Sequence, residues 1–193
     1  MNNQVESAIK ILHTFFKQGY FPSRDRQSYG VFLPQAKIQA QNLVNCMAHA
    51  CFNLTNAQLN TPAFQEFKGF YTGGMVDGNT DTKEVQTEKM LHFIKEVGLK
   101  VEECDPDAVL KDFRSWKVGL YFRYSDVWED LDYHYCLQEK DNTWSSKFSS
   151  YLQLDHFEYL RAYMLNGYEF EKCFIITNPN ADENNQYVKE MHN

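Results

Sequence analysis

The chain has 193 residues, of which 43% are hydrophobic and 16% aromatic, with 15 Phe, 12 Tyr and 3 Trp. That length suits one domain with a sizeable core, and the aromatic load excludes a disordered chain, because such side chains bury enough area to offset chain entropy. A net charge of -7 and a pI near 5.3 argue against a general polyanion binder, which needs a basic surface, and leave room for docking on a basic partner.

The first residues, MNNQVESAIKILHTFF, have no basic head, long apolar run or small-residue cleavage site, so no signal peptide is expected. No stretch approaches the roughly 20 apolar residues of a membrane span. Five scattered cysteines without a secretory signal point to reduced thiols and a cytoplasmic setting.

In chain order, residues 5–19 read as a helix, with Val5, Ala8, Ile9, Leu12, Phe15 and Phe16 on one face and Gly19 as the stop. Residues 21–30 read as a loop. A second helical stretch follows Pro34 and carries the stripe Leu43, Val44, Met47, Ala48, Cys51. Residues 53–61 are polar and end it. Residues 69–81 are glycine-rich but lack the spacing and the Lys-Ser/Thr ending of a phosphate-binding loop, so a mobile surface loop or lid is expected. Residues 84–97 form an amphipathic pattern with Val85, Met90, Phe93, Ile94 and Val97 inward and Gly98 closing it. Residues 99–103 suit a short strand. Residues 106–113 suit a short helix capped by Asp105.

The period then changes to two. Residues 116–124 and 132–138 read as strands, Asp141-Asn142 as a turn, and 143–148 as the returning strand. Residues 151–165 are expected to be partly helical. Residues 168–177 form a last strand before Asn178-Pro179, and a polar, frayed tail covers 181–193. The fold class is therefore α+β: a single domain over residues 1–180, with N-terminal helices packed on a small, mostly antiparallel sheet.

Two residues stand out chemically. A cysteine nucleophile needs a depressed pKa and a nearby base. Cys46 lies in Asn45-Cys46-Met47-Ala48-His49. A helix starting at Asn45 would put Cys46 in its first turn, where unpaired amides favour the thiolate; a helix running unbroken from Pro34 would bury it mid-helix. His134 lies between Tyr133 and Tyr135 on a strand whose alternation places Asp132, His134 and Cys136 on one face.

The order of these pieces resembles papain-like cysteine peptidases and amidases of the NlpC/P60 and CHAP kind. Those carry a helix-borne Cys, a strand His and a polar orienting residue on the next strand. DYHYCLQEKDNTWSSK (132–147) resembles a bacterial group with an Asn-Cys helix, an aromatic-flanked strand His and a Trp-Ser-His-Lys strand, and YEFEKCFII (168–176) resembles its closing strand. The resemblance implies a papain-like fold and a hydrolase with Cys46 as nucleophile, His134 as base and Ser146 as orienter. It implies no cofactor, and a peptide or protein as substrate. Where the group has His, this chain has Ser146; Asp132, Asn142 and Asp155 are other candidates for the third member.

Two further functions fit the same residues. Cys46, His49, His134 and Cys136 offer four soft ligands for tetrahedral zinc. A non-catalytic interaction or inhibitor protein, phage- or mobile-element-encoded, could instead present acidic residues (Asp126, Glu129, Asp130, Asp132) to a basic protein partner, with no direct nucleic-acid or membrane contact. Tyr121, Phe122, Tyr124, Trp128, Tyr133, Tyr135 and Trp144 are expected to pack around the sheet. Cys51 and Cys173 suit buried positions, and Cys104 looks incidental.

Overall fold

The computed structural model describes residues 3–19, 46–52, 76–126, 129–139, 141–147, 154–158 and 167–182. Among the described residues, three helices, α1 (Asn3–Lys17), α2 (Cys46–Phe52) and α3 (Lys83–Glu96), accompany six strands. These are β1 (Lys100–Cys104), β2 (Ser115–Ser125), β3 (Asp130–Gln138), β4 (Trp144–Lys147), β5 (Leu154–Phe157) and β6 (Glu169–Thr177). They form one sheet in the order β1-β6-β2-β3-β4-β5, antiparallel at every step. The α+β class holds.

Helix α1 forms because Val5, Ala8, Leu12 and Phe16 recur at helical spacing, and all four are buried. Gly19 ends it at φ 87°, a left-handed position that suits glycine. The Phe16 carbonyl in the last turn accepts from Asn178 Nδ2 at 3.0 Å, so the residue after β6 seals the end of α1. Helix α3 starts on Thr82, whose Oγ1 accepts from the Val85 amide at 3.4 Å. Met90, Phe93, Ile94 and Val97 point inward as expected. Val85 does not: it is 38% exposed. The inward position in that turn belongs to Gln86, whose Nε2 donates to the Leu131 carbonyl at 2.9 Å.

Strand alternation sorts the sheet into two layers. Val118, Leu120, Phe122, Tyr135, Leu137, Phe174 and Ile176 join residues of all three helices in the main core. Trp116 anchors this layer, stacking on Phe16 at 6.4 Å and donating from its indole to the Ala50 carbonyl at 3.2 Å. The opposite layer holds Tyr121, Cys136, Trp144, Tyr168 and Cys173. A bulge at Leu120/Tyr121 interrupts the β2–β6 register, pairing Leu120 with Lys172 but Tyr121 with Phe170. The extra residue turns Phe170 onto the Tyr121 side, where the two rings meet edge to face at 5.6 Å.

Several expectations change. Residues 106–113 form no helix. Asp105 accepts from the Asp107 amide at 2.9 Å in a tight turn, and Lys117 Nζ takes the Pro106 and Ala108 carbonyls at 2.6 and 2.8 Å. Residues 154–157, expected in a partly helical stretch, are strand β5. The end of the glycine-rich segment is pinned to β3 rather than a lid, since the Leu131 amide donates to the Gly78 carbonyl at 2.8 Å. Asp81 there accepts from the Asp77 amide at 2.7 Å and pairs with Lys89 at 2.6 Å. Tyr124, expected in the aromatic packing, is 60% exposed. The loop at 21–30, the helix expected at 34–45, residues 53–75, Trp128 and the tail from 183 lie outside the described residues.

Gly98 follows α3 at φ 92°, and a Cβ there would stand 3.1 Å from His13 Cδ2. Gly98→Ala should therefore destabilise the fold by about 1–2 kcal/mol, while Thr82→Ala should cost about 1 kcal/mol through the lost cap. Urea unfolding of both variants against the parent checks the pair.

Candidate active site

The site is built on β3 and β4. Cys136 pairs with Ser146 across the two strands, and Leu137 pairs with Ser145. Alternation therefore sends Ser146 to the side of Cys136 and His134, and Ser145 to the helix side. Each serine meets a histidine. His134 Nε2 and Ser146 Oγ share a short hydrogen bond in the interior. His49 Nε2, from helix α2, lies 3.1 Å from Ser145 Oγ.

Cys46 is the first described residue of α2 and is buried. It packs in the helix-side core with Met47, Ala50 and Cys51. His134 belongs to the other side-chain layer, opposite Tyr121 of β2. A charge on Cys46 would add slightly to the effect of burial in raising the phenols of Tyr135 and Tyr168, and Arg123 is the charge that acts on His134. The structure brings His134 and Ser146 into direct contact and sets Cys46 in the core on the opposite face of the sheet.

Three residues complete the surroundings of His134. The Tyr168 ring lies 5.3 Å from the imidazole, tilted by 45°. Its hydroxyl donates a short hydrogen bond to Asp132 Oδ2. Arg123 covers the other part of that assembly, with its guanidinium carbon 4.5 Å from the Tyr168 ring centre and an ion pair to Asp132 at 3.3 Å. Asp132, weighed above as a replacement third member, thus engages Tyr168 and Arg123. Tyr168 and Arg123 were not singled out from the sequence. Period two does put Arg123 on the Tyr121 side of its strand, but Tyr168 reaches the group from the distant strand end before β6, on the far side of the bulge.

Burial, and then the nearby Arg123 charge, lower the His134 pKa from 6.5 to about 4. The imidazole is therefore neutral near pH 7 and able to accept a proton, but a resting imidazolium is disfavoured. Burial and the Asp132 bond push the Tyr168 phenol well above its ordinary value, so it remains a donor. Burial likewise raises Cys51, consistent with a packing role.

The four residues considered for zinc divide between two layers. His49 and Cys46 lie on the helix side, His134 and Cys136 on the other. Among the described residues no group of three or more His, Cys, Asp or Glu side chains converges on a point that could hold a metal ion. No helix among them is long and apolar enough to cross a membrane. No protein-family model matches this chain, and neither the curated proteins nor the solved structures contain a match.

Because the folded-state pKa of His134 is depressed, its contribution to stability is complete above the unfolded value of 6.5 and is lost as pH falls toward about 4. That loss is about 3 kcal/mol at its largest. His134→Gln should lower stability at neutral pH yet flatten the decline between about pH 6.5 and 4, measured as urea midpoints across that range.

Proposed function

We propose that this chain is a cysteine hydrolase-like domain acting on a peptide or amide bond, with Cys46 as nucleophile, His134 as general base and Ser146 as the group that orients the ring. The observation that carries this reading is the His134–Ser146 hydrogen bond, made between neighbouring strands against which the Cys46 helix lies. With Nε2 engaged by Ser146, proton transfer in this reading runs through Nδ1.

The depressed basicity of His134 shapes the mechanism. The imidazole rests neutral, and in this reading the proton leaves Sγ for the ring as the carbon–sulfur bond forms, which is general-base catalysis. The ring then returns that proton to the leaving amine, and water, deprotonated by the same ring, releases the acyl group from sulfur. Backbone amides near Cys46 would stabilise the developing oxyanion. Tyr168 holds the ring from one side while Asp132 fixes the tyrosine.

A second reading rests on a different observation. His134 is 3% exposed and its strand position faces the layer opposite the core that contains Cys46. A chain that kept this scaffold without catalysis would act as an interaction or inhibitor protein, with its net charge of -7 suiting a basic partner.

Alkylation by iodoacetamide separates the readings. Under the hydrolase reading, mass mapping at neutral pH finds Cys46 labelled at least about tenfold faster than in His134→Ala, consistent with the 10²–10⁴-fold that a positioned base supplies in catalysis. Ser146→Ala should give an intermediate rate. Equal Cys46 labelling in parent and His134→Ala would sink the nucleophile assignment and favour the binding reading.

A further inference from the structure

Cys104, at the end of edge strand β1, stands directly across from Cys173 of β6. The pair lies outside the His134 group, with Gly119 of β2 separating Cys173 from Cys136 in the same lateral row. Directly opposed residues of an antiparallel pair have Cα atoms about 4.5–5.5 Å apart and side chains on one face. A disulfide spans that separation without backbone movement. Each side chain is close enough to act on the other's ionisation.

Their surroundings give them different roles. Cys173 is 1% exposed, within the layer of Tyr121, Trp144 and Tyr168. Cys104 is half-buried at the sheet edge and packs against that layer from outside. Lys117 stands close by, its ammonium held by two backbone carbonyls and 5.8 Å from the Trp144 ring centre. Its positive charge favours the thiolate of both cysteines, while burial acts the other way and leaves both thiols above their ordinary values.

We propose that Cys104 and Cys173 form a thiol–disulfide exchange site that takes a low-molecular-weight disulfide of the glutathione class and closes to a cross-strand disulfide between β1 and β6. The Cys104 thiolate attacks one sulfur of oxidised glutathione, forming a mixed disulfide and expelling one glutathione thiolate. The Cys173 thiolate then attacks the Cys104 sulfur, forming the protein disulfide and expelling the second glutathione. The protein loses two electrons and two protons; the glutathione disulfide gains them and leaves as two thiols. All five cysteines carry free thiols in this structure. The oxidised state closes a long loop that begins at the edge of the sheet and returns on its neighbour, which constrains the unfolded chain.

The test uses the full chain, incubated under native conditions with excess oxidised glutathione and then trapped with acid. Burial makes the exchange slow, so the endpoint species decide the matter. Mass spectrometry should find a product lighter by two hydrogens, with a peptide linked through Cys104 and Cys173, reversed by dithiothreitol and melting at higher temperature. Cys173→Ser should stop at one glutathione on Cys104, and Cys104→Ser should give neither product. Persistence of the fully reduced chain, a linkage through other cysteines, or a mixed disulfide on the parent chain that never resolves would each overturn the proposal. If a serine variant fails to fold, the linkage map of the parent chain still decides. Cys46 and His134 take no part, so the outcome is independent of the hydrolase reading.

Discussion

Strand β2 is buried on both of its faces along most of its length, and the remaining elements are arranged around that double burial. One face carries Trp116, Val118, Leu120 and Phe122, and the three helices cover it. The other carries Lys117, Gly119 and Tyr121, a far less apolar set. A buried lysine on that face is tolerable because two carbonyls and the face of Trp144 replace its water. The turn at residues 105–108 is therefore a consequence of β2 as much as of its own sequence: carbonyls used up inside a helix could not have served Lys117.

The same two-sidedness gives the sheet a packing side and a chemical side. His134 and Ser146 meet on the second face because β3 and β4 pair in the register that opposes Cys136 to Ser146. The bulge in the β2–β6 ladder turns Phe170 onto that face, and Tyr168, Asp132 and Arg123 then enclose the imidazole's surroundings. Enclosure has a definite electrostatic effect: it removes the ring's preference for a proton. A neutral, held imidazole is a base in waiting and also a titratable element whose protonation opposes folding. Both properties come from the same burial.

Much of the fold was legible in the chain. The helical stripe of α1, the inward residues of α3 after its first turn, and the alternation in β2, β3 and β6 all match the structure, because each depends on the local period of apolar residues. The failures share a cause. Val85 sits on the stripe by sequence, but the inward position of that turn goes to Gln86, whose amide reaches the Leu131 carbonyl. Residues 106–113 have a good cap and a fair helical pattern, but Lys117 claims their carbonyls. Residues 154–157 follow the edge offered by β4.

The candidate site divides along the same line. The sequence by itself determined which residue types were present and which face of its strand each would occupy, since alternation is a property of the extended backbone alone. Asp132, His134 and Cys136 sharing one side required nothing more. Only the tertiary structure decided which serine met which histidine, that Tyr168 would flank His134, and that Cys104, unremarkable in the chain, would face Cys173. Those pairings depend on strand register and on one bulge, and register is fixed by the summed packing of both layers rather than by any local signal.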